Sequence, residues 1–136
     1  RQMCIRDRHY TGMKSEKAAI NKLTDIQSQV ASHYLITLGG KIINLVPDLY
    51  IAWHAGISSW KTLNSLNKNS IGIEITNPGH QFGYKKFSKK QISSLINLSK
   101  GKFQKLFENL KNEIHTRNLQ LYSFYSGSQH LCLRIL

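Results

Sequence analysis

Cysteine is scarce. Cys4 and Cys132 are the two in 136 residues, and they stand near opposite ends. That excludes a disulfide framework and a CxxC zinc motif. No unbroken apolar run reaches about 18 residues, so no membrane span is expected. HExxH, GxSxG, the P-loop and GxGxxG are all missing. Acidic residues are few, 7 against 19 basic ones, for a net charge of +12. A basic balance points to an anionic partner such as nucleic acid, a membrane surface or a cell-wall polymer. Composition accounts for it more simply. The chain has 14 Lys, 10 Asn and 15 Ile, all residues with AT-rich codons. The lysines are not gathered as in a nucleic-acid arm, so no nucleic-acid partner is expected. What is present, 40% apolar and 19% charged residues, suffices for one domain with one core.

Both ends look foreign to that domain. Residues 1–8, RQMCIRDR, show no helical or strand period and no signal-peptide pattern. From Gln2 to Arg8 they resemble the translation of a transposon end used in sequencing libraries. They are therefore expected to be an adapter scar. Without them the charge loses three Arg and one Asp and falls from +12 to +10. Residues 125–136 also carry no domain-ending logic.

Between the ends the pattern is α/β. Ser15 can cap a helix over 15–31, in which Ala19, Leu23, Ile26 and Val30 share one face. A hairpin follows, with strands over 33–38 and 41–46 around Gly39-Gly40. Residues 47–69 read as loop. Ser70 to Thr76, SIGIEIT, alternates as a strand, so Glu74 points away from the face of Ile71, Ile73 and Ile75. Glu74 either sits on an exposed sheet face or faces a cleft, where desolvation raises its pKa and makes it a base. Ser88 and Gln91 form a capping-box pattern opening a second helical region that runs on to Ile114, with a break at Gly101. Leu119–Phe124 is a further candidate strand. The candidates for chemistry are His9, His33, His54, His80, Glu74, Trp53 and Trp60. Composition and spacing alone stop at a basic α/β domain.

The order of short blocks goes further. His9-Tyr10-Thr11-Gly12-Met13, Ser32-His33-Tyr34-Leu35-Ile36, Gly40-Lys41-Ile42, Ala52-Trp53-His54-Ala55-Gly56-Ile57-Ser58-Ser59-Trp60, Leu66-Asn67 and Ser70-Ile71-Gly72-Ile73-Glu74-Ile75-Thr76-Asn77 follow one another over about 90 residues. In this the chain resembles the zinc-dependent N-acetylmuramoyl-L-alanine amidases, whose fold is shared with peptidoglycan-recognition proteins. The resemblance implies a mixed central β-sheet flanked by helices, with an incomplete amidase domain over 9–124. It implies a zinc cofactor, His9 as a metal ligand and Glu74 as the catalytic carboxylate. It implies that Trp53, His54, Trp60 and Asn77 line or shape the substrate groove. The substrate implied is peptidoglycan or a muropeptide, cut at the amide between the muramyl lactyl group and L-alanine by zinc-activated water. A monomer is expected. The compartment stays open, although AWHAG is more similar to the envelope-acting branch.

The family's second His ligand, its Asp ligand and a supporting lysine lie late in the chain, and no segment here matches them. Nor does a strand precede His9. A one-base frame shift before Tyr125 would turn Tyr125–His130 into Ile-Leu-Gly-His-Ser, so 125–136 is expected to be a frameshifted tail. With His9 as its one ligand, the chain as written is expected to bind zinc weakly and to be nearly inactive. The alternative is a non-catalytic module that binds peptidoglycan.

Overall fold

A computed structural model describes residues 5–60, 63–100 and 132–133. Its centre is a five-stranded mixed sheet, ordered β3-β2-β6-β1-β7. The strands are β1 (Ile5–Tyr10), β2 (Tyr34–Ile36), β3 (Ile42–Asn44), β6 (Ser70–Ile75) and β7 (Cys132–Leu133). β6 lies parallel to both β1 and β2, while β3 and β7 run antiparallel to their neighbours. Two short strands, β4 (Ser59–Trp60) and β5 (Leu63–Asn64), pair separately. The helices are α1 (Glu16–Thr24), α2 (Leu66–Asn69) and α3 (Lys89–Lys100). Among the described residues no helix is long and apolar enough to cross a membrane.

Strand alternation sorts the sheet into two faces. One carries Ile71, Ile73 and Ile75 of β6 with Tyr34 and Ile36 of β2, packed on Leu95 of α3. Burying each isoleucine contributes roughly 1.5–3 kcal/mol. The register aligns Leu35, Glu74 and His9 across β2, β6 and β1 on the opposite face. The site therefore rests on the back of a packed core.

α3 begins where its capping box predicts. Ser88 Oγ accepts from the Gln91 backbone N–H at 3.2 Å, and Gln91 Oε1 accepts from Ser88 N–H at 3.0 Å. Gln91 Nε2 also donates to Thr76 O at 2.8 Å, which ties the helix start to the end of β6. The hairpin is present with shorter strands than expected. Gly40 has φ +84°, and a Cβ there would meet Lys90 at 2.9 Å.

Three expectations are corrected. The helix proposed over 15–31 ends at Thr24. Asp25 turns extended, its carboxylate accepts from Gln27 N–H, and Gln29 adopts a left-handed φ of 54°. Ala19 and Leu23 are buried as predicted, but Ile26 is 88% exposed. Residues 47–69, read as loop, include β4, β5 and α2. A strand does precede and include His9, because Ile5–Arg8 belong to β1 and pair with Ser70–Ile73. Backbone ladder bonds do not require an apolar alternation, and Asp7 and Arg8 hid the period. The helix proposed through Ile114 beyond Lys100, the strand proposed over Leu119–Phe124 and residues 125–131 and 134–136 of the tail lie outside the described residues.

Candidate active site

Asp7 and His9 stand two apart on β1 and so face the same side of the sheet. Opposite them on β6 are Gly72 and Glu74, paired in register. His54 enters from the loop that precedes β4. Its backbone N–H donates to Asn67 Oδ1 at 3.0 Å, and Ala55 N–H donates to the same oxygen at 2.9 Å. The imidazole lies on the bare backbone of Gly72, where a Cβ would come within 2.3 Å of His54 Cγ and Cδ2. Glycine at position 72 makes the room for His54.

The result is a cluster of buried donors. His9 Nε2 is 3.1 Å from Asp7 Oδ2, and His54 Nδ1 is 3.5 Å from the same oxygen. One ligand atom from each of the three residues lies within 4.8 Å of the others. All three side chains are buried. Bonds of 2.0–2.1 Å in a tetrahedral zinc site place neighbouring donors roughly 3.3 Å apart. Two imidazoles and a carboxylate are a donor set of the kind zinc takes, and two of their three separations lie on either side of that value.

Glu74 is 2% exposed, which excludes an exposed sheet face. Its Oε2 makes no hydrogen bond. Burial pushes its pKa up, with nearby Asp7 adding to the rise and His9 and Lys22 opposing it. A desolvated carboxylate of this kind accepts a proton more readily than one in water. Burial lowers the pKa of His54, against the opposing pull of Asp7.

His33, buried beside His54 at 5.8 Å between ring centroids, has a different job. Its Nδ1 accepts from Gly72 N–H at 3.0 Å, which leaves Nε2–H to donate to Tyr50 O at 3.1 Å. It fastens the loop to β6.

The other sequence-predicted residues lie around this centre. Trp53 is 64% exposed and borders an open apolar groove of about 770 Å³ with Leu23, Ile26, Val30, Leu45 and Val46. Asp7, His9, His54 and Glu74 are not among the residues that line this groove. Trp60 is described through its backbone in β4. Asn77 is buried, with its amide oxygen accepting from Gly79 N–H and its amide nitrogen donating to Lys85 O, so it shapes the turn after β6. Sequence reasoning placed His54 in the groove and did not single out Asp7, which the structure sets beside His9 and His54. The Asp-x-His spacing on a strand was the available signal.

The family model described as N-acetylmuramoyl-L-alanine amidase matches residues 8–128. The chain is 41% identical over 104 residues to N-acetylmuramoyl-L-alanine amidase AmiD of Escherichia coli, which covers 68% of this chain and 37% of AmiD. It thus spans little more than a third of that relative's length. Over 47 residues it is 45% identical to 1,6-anhydro-N-acetylmuramyl-L-alanine amidase AmpD of Citrobacter freundii, covering 35% of this chain and 25% of that protein. Among solved structures, AMPDH3 from Pseudomonas aeruginosa superposes with a TM-score of 0.64 at 33% identity, over 71% of this chain and 43% of that one. The E. coli AmiD complex with anhydro-N-acetylmuramic acid-L-Ala-D-gamma-Glu-L-Lys gives 0.61 at 38% identity, over 69% and 40%. With a family model matched across most of its length, the chain belongs to the N-acetylmuramoyl-L-alanine amidase family.

Proposed function

We propose that the protein hydrolyses the amide between N-acetylmuramic acid and L-alanine in peptidoglycan or its fragments, with zinc as cofactor. The observation that carries this reading is Glu74, buried and without a hydrogen bond at Oε2, in register with His9 and beside the donors Asp7 and His54. Zinc at this site would polarise the scissile carbonyl and make water available as a nucleophile near neutral pH. Glu74 receives the proton of the attacking water at Oε2. As the C–N bond breaks, Glu74 delivers that proton to the departing L-alanine nitrogen, and the lactyl carbon leaves as a carboxylate. The products are the free stem peptide and the muramyl sugar.

The other residues position and shield. Asn67 and Gly72 hold His54 in place, while His33 anchors the loop that carries Trp53. Trp53 offers an aromatic face at the mouth of the groove, suited to the apolar side of a sugar or peptide. Relatives solved with anhydromuramyl peptides support a substrate of that class.

The test is incubation of the zinc-loaded chain with an anhydromuramyl tripeptide, read by mass spectrometry for released tripeptide. Slow release is expected, abolished by chelation and by Glu74→Gln. Bound substrate without release, in folded zinc-loaded protein, would replace the enzyme reading with that of a muropeptide-binding module.

A further inference from the structure

We propose that one end of the sheet is a basic face that docks on an anionic phospholipid surface. Of the ten lysines among the described residues, seven stand there, and all seven are exposed. Lys14 and Lys17 lie at the start of α1, Lys41 after the turn between β2 and β3, and Lys85, Lys86, Lys89 and Lys90 at the start of α3. The fold joins these three segments. Glu16 Oε2 accepts from Leu38 N–H at 2.6 Å, and Leu38 O accepts from the Ser88 hydroxyl at 3.4 Å. A Cβ on Gly40 would meet Lys90 Cβ at 2.9 Å. The ammonium of Lys14 lies 5.3 Å from the centroid of the Phe82 ring.

Nothing local balances this charge. No Asp or Glu occurs between Ile75 and Phe107. Glu16 is the acid at the face, and its carboxylate is engaged by the hairpin turn. The first turn of α3 has no acidic residue, although the helix dipole favours one there, and carries Lys89 and Lys90 instead. Codon bias sets how many lysines a chain has, but not where the fold gathers them. Lys85 and Lys86 are also held in place. Next to them Tyr84 stacks on His80 at 5.1 Å between ring centroids and meets Tyr10 and Phe87 edge-on at 6.3 and 6.1 Å. Lys85 O accepts from Asn77 Nδ2. The kind of cation points to the kind of partner. No arginine lies between Arg8 and Arg117, so no planar fork is present to grip single phosphates bidentately. Lysines act as hydrated point charges, suited to the charge density of a headgroup layer. Phe82, 39% exposed beside Lys14, adds the aromatic ring that such interfaces favour. A nucleic acid strand would call for open aromatic faces on which bases stack, whereas Tyr10, Tyr84 and Phe87 pack on one another.

The experiment sediments the whole chain with vesicles of phosphatidylcholine alone or of an equal mixture with phosphatidylglycerol. Binding to the mixed vesicles and not to the neutral ones is expected, with loss on going from about 0.1 M to about 1 M salt. A lysine near such a surface is worth about 5-fold in binding. Lys85→Gln, Lys86→Gln, Lys89→Gln and Lys90→Gln together should therefore weaken it more than about 100-fold. Lys22→Gln, Lys68→Gln and Lys100→Gln together, away from this face, should weaken it less than about 5-fold. The readout is independent of amide hydrolysis, so it stands whatever the outcome for the amidase reading. No binding to the mixed vesicles, or equal binding to the neutral ones, overturns the proposal without any variant. An equal loss in the two sets of substitutions overturns it in favour of net charge alone. Release from the mixed vesicles by duplex DNA at a lower phosphate concentration than that of the lipid overturns it in favour of a nucleic acid.

Discussion

Substituting Gly72 by alanine tests the packing that builds the site. Position 72 lies in a buried strand, and its φ is not in the left-handed region, so alanine meets no backbone objection there. On backbone entropy alone the change would stabilise by about 0.5–1 kcal/mol. Against this, the added Cβ would stand 2.3 Å from His54 Cγ and Cδ2, where ordinary contact begins at 3.4 Å. The ring must withdraw by about 1.1 Å, the difference of those two distances. It has little freedom to do so. His54 is 3% exposed, its backbone is held by Asn67, and its Nε2 is held by Ser70. Overpacking of this size costs about 1–3 kcal/mol, so a net loss of about 1–2 kcal/mol is expected. For a domain of this length that lowers Tm by about 4–8 °C. Urea unfolding monitored at two wavelengths gives the stability. A Gly72→Ala protein that is as stable as the original would refute the packing argument.

Three further outcomes are expected. Glu74 has a folded pKa raised above its ordinary 4.5, so it binds more protons folded than unfolded, and in zinc-free protein stability should fall as pH rises from about 4.5 through the folded value; Glu74→Gln should remove that slope and the activity together, as read by denaturation midpoints at a series of pH values. Gln91→Ala should lose about 1–2 kcal/mol in chemical denaturation, since it removes half of the capping box and the tie to Thr76 O; a loss under about 0.3 kcal/mol would show the box to be dispensable. His33→Ala should cost about 2–4 kcal/mol by leaving Gly72 N–H and Tyr50 O without their partner, with local amide exchange at Gly72 accelerated.

The sequence made some of this legible because certain signals are local. Ile71, Ile73 and Ile75 alternate, and alternation alone places Glu74 on the other face. Ser88 and Gln91 carry a reciprocal cap within four residues, so α3 starts where expected. The α1 boundary failed for a local reason too. Asp25 offers its own carboxylate to Gln27 N–H, a bond that competes with the helix, while the apolar spacing runs on through Ile26 and Val30 without burying Ile26. Periodicity records what could face a core. It does not record whether a core is there. Asn67 was visible as part of a matching block, but its two hydrogen bonds to residues 54 and 55 depend on chain reversal through β4 and β5.

The donor cluster was hidden by the same feature that hid β1. Strand reading relies on one apolar and one polar face, yet Asp7 and Arg8 are both buried, at 3% and 5% exposure, on opposite sides of the sheet. A strand with polar residues on both buried faces has no alternation to detect. Its ladder to β6 forms all the same, because backbone groups pair whatever the side chain. Once β1 is in register, Asp7 and His9 are set roughly 6.5–7 Å apart along the strand on one face, too far for their Cα atoms to suggest a site by themselves. His54 closes the gap from 45 residues away, and it does so only where β6 has a glycine. The cluster therefore depends on the coincidence of an Asp-x-His pair, a glycine on the neighbouring strand and a loop fastened by Asn67 and His33. Each is ordinary alone, and the tertiary register makes them one site.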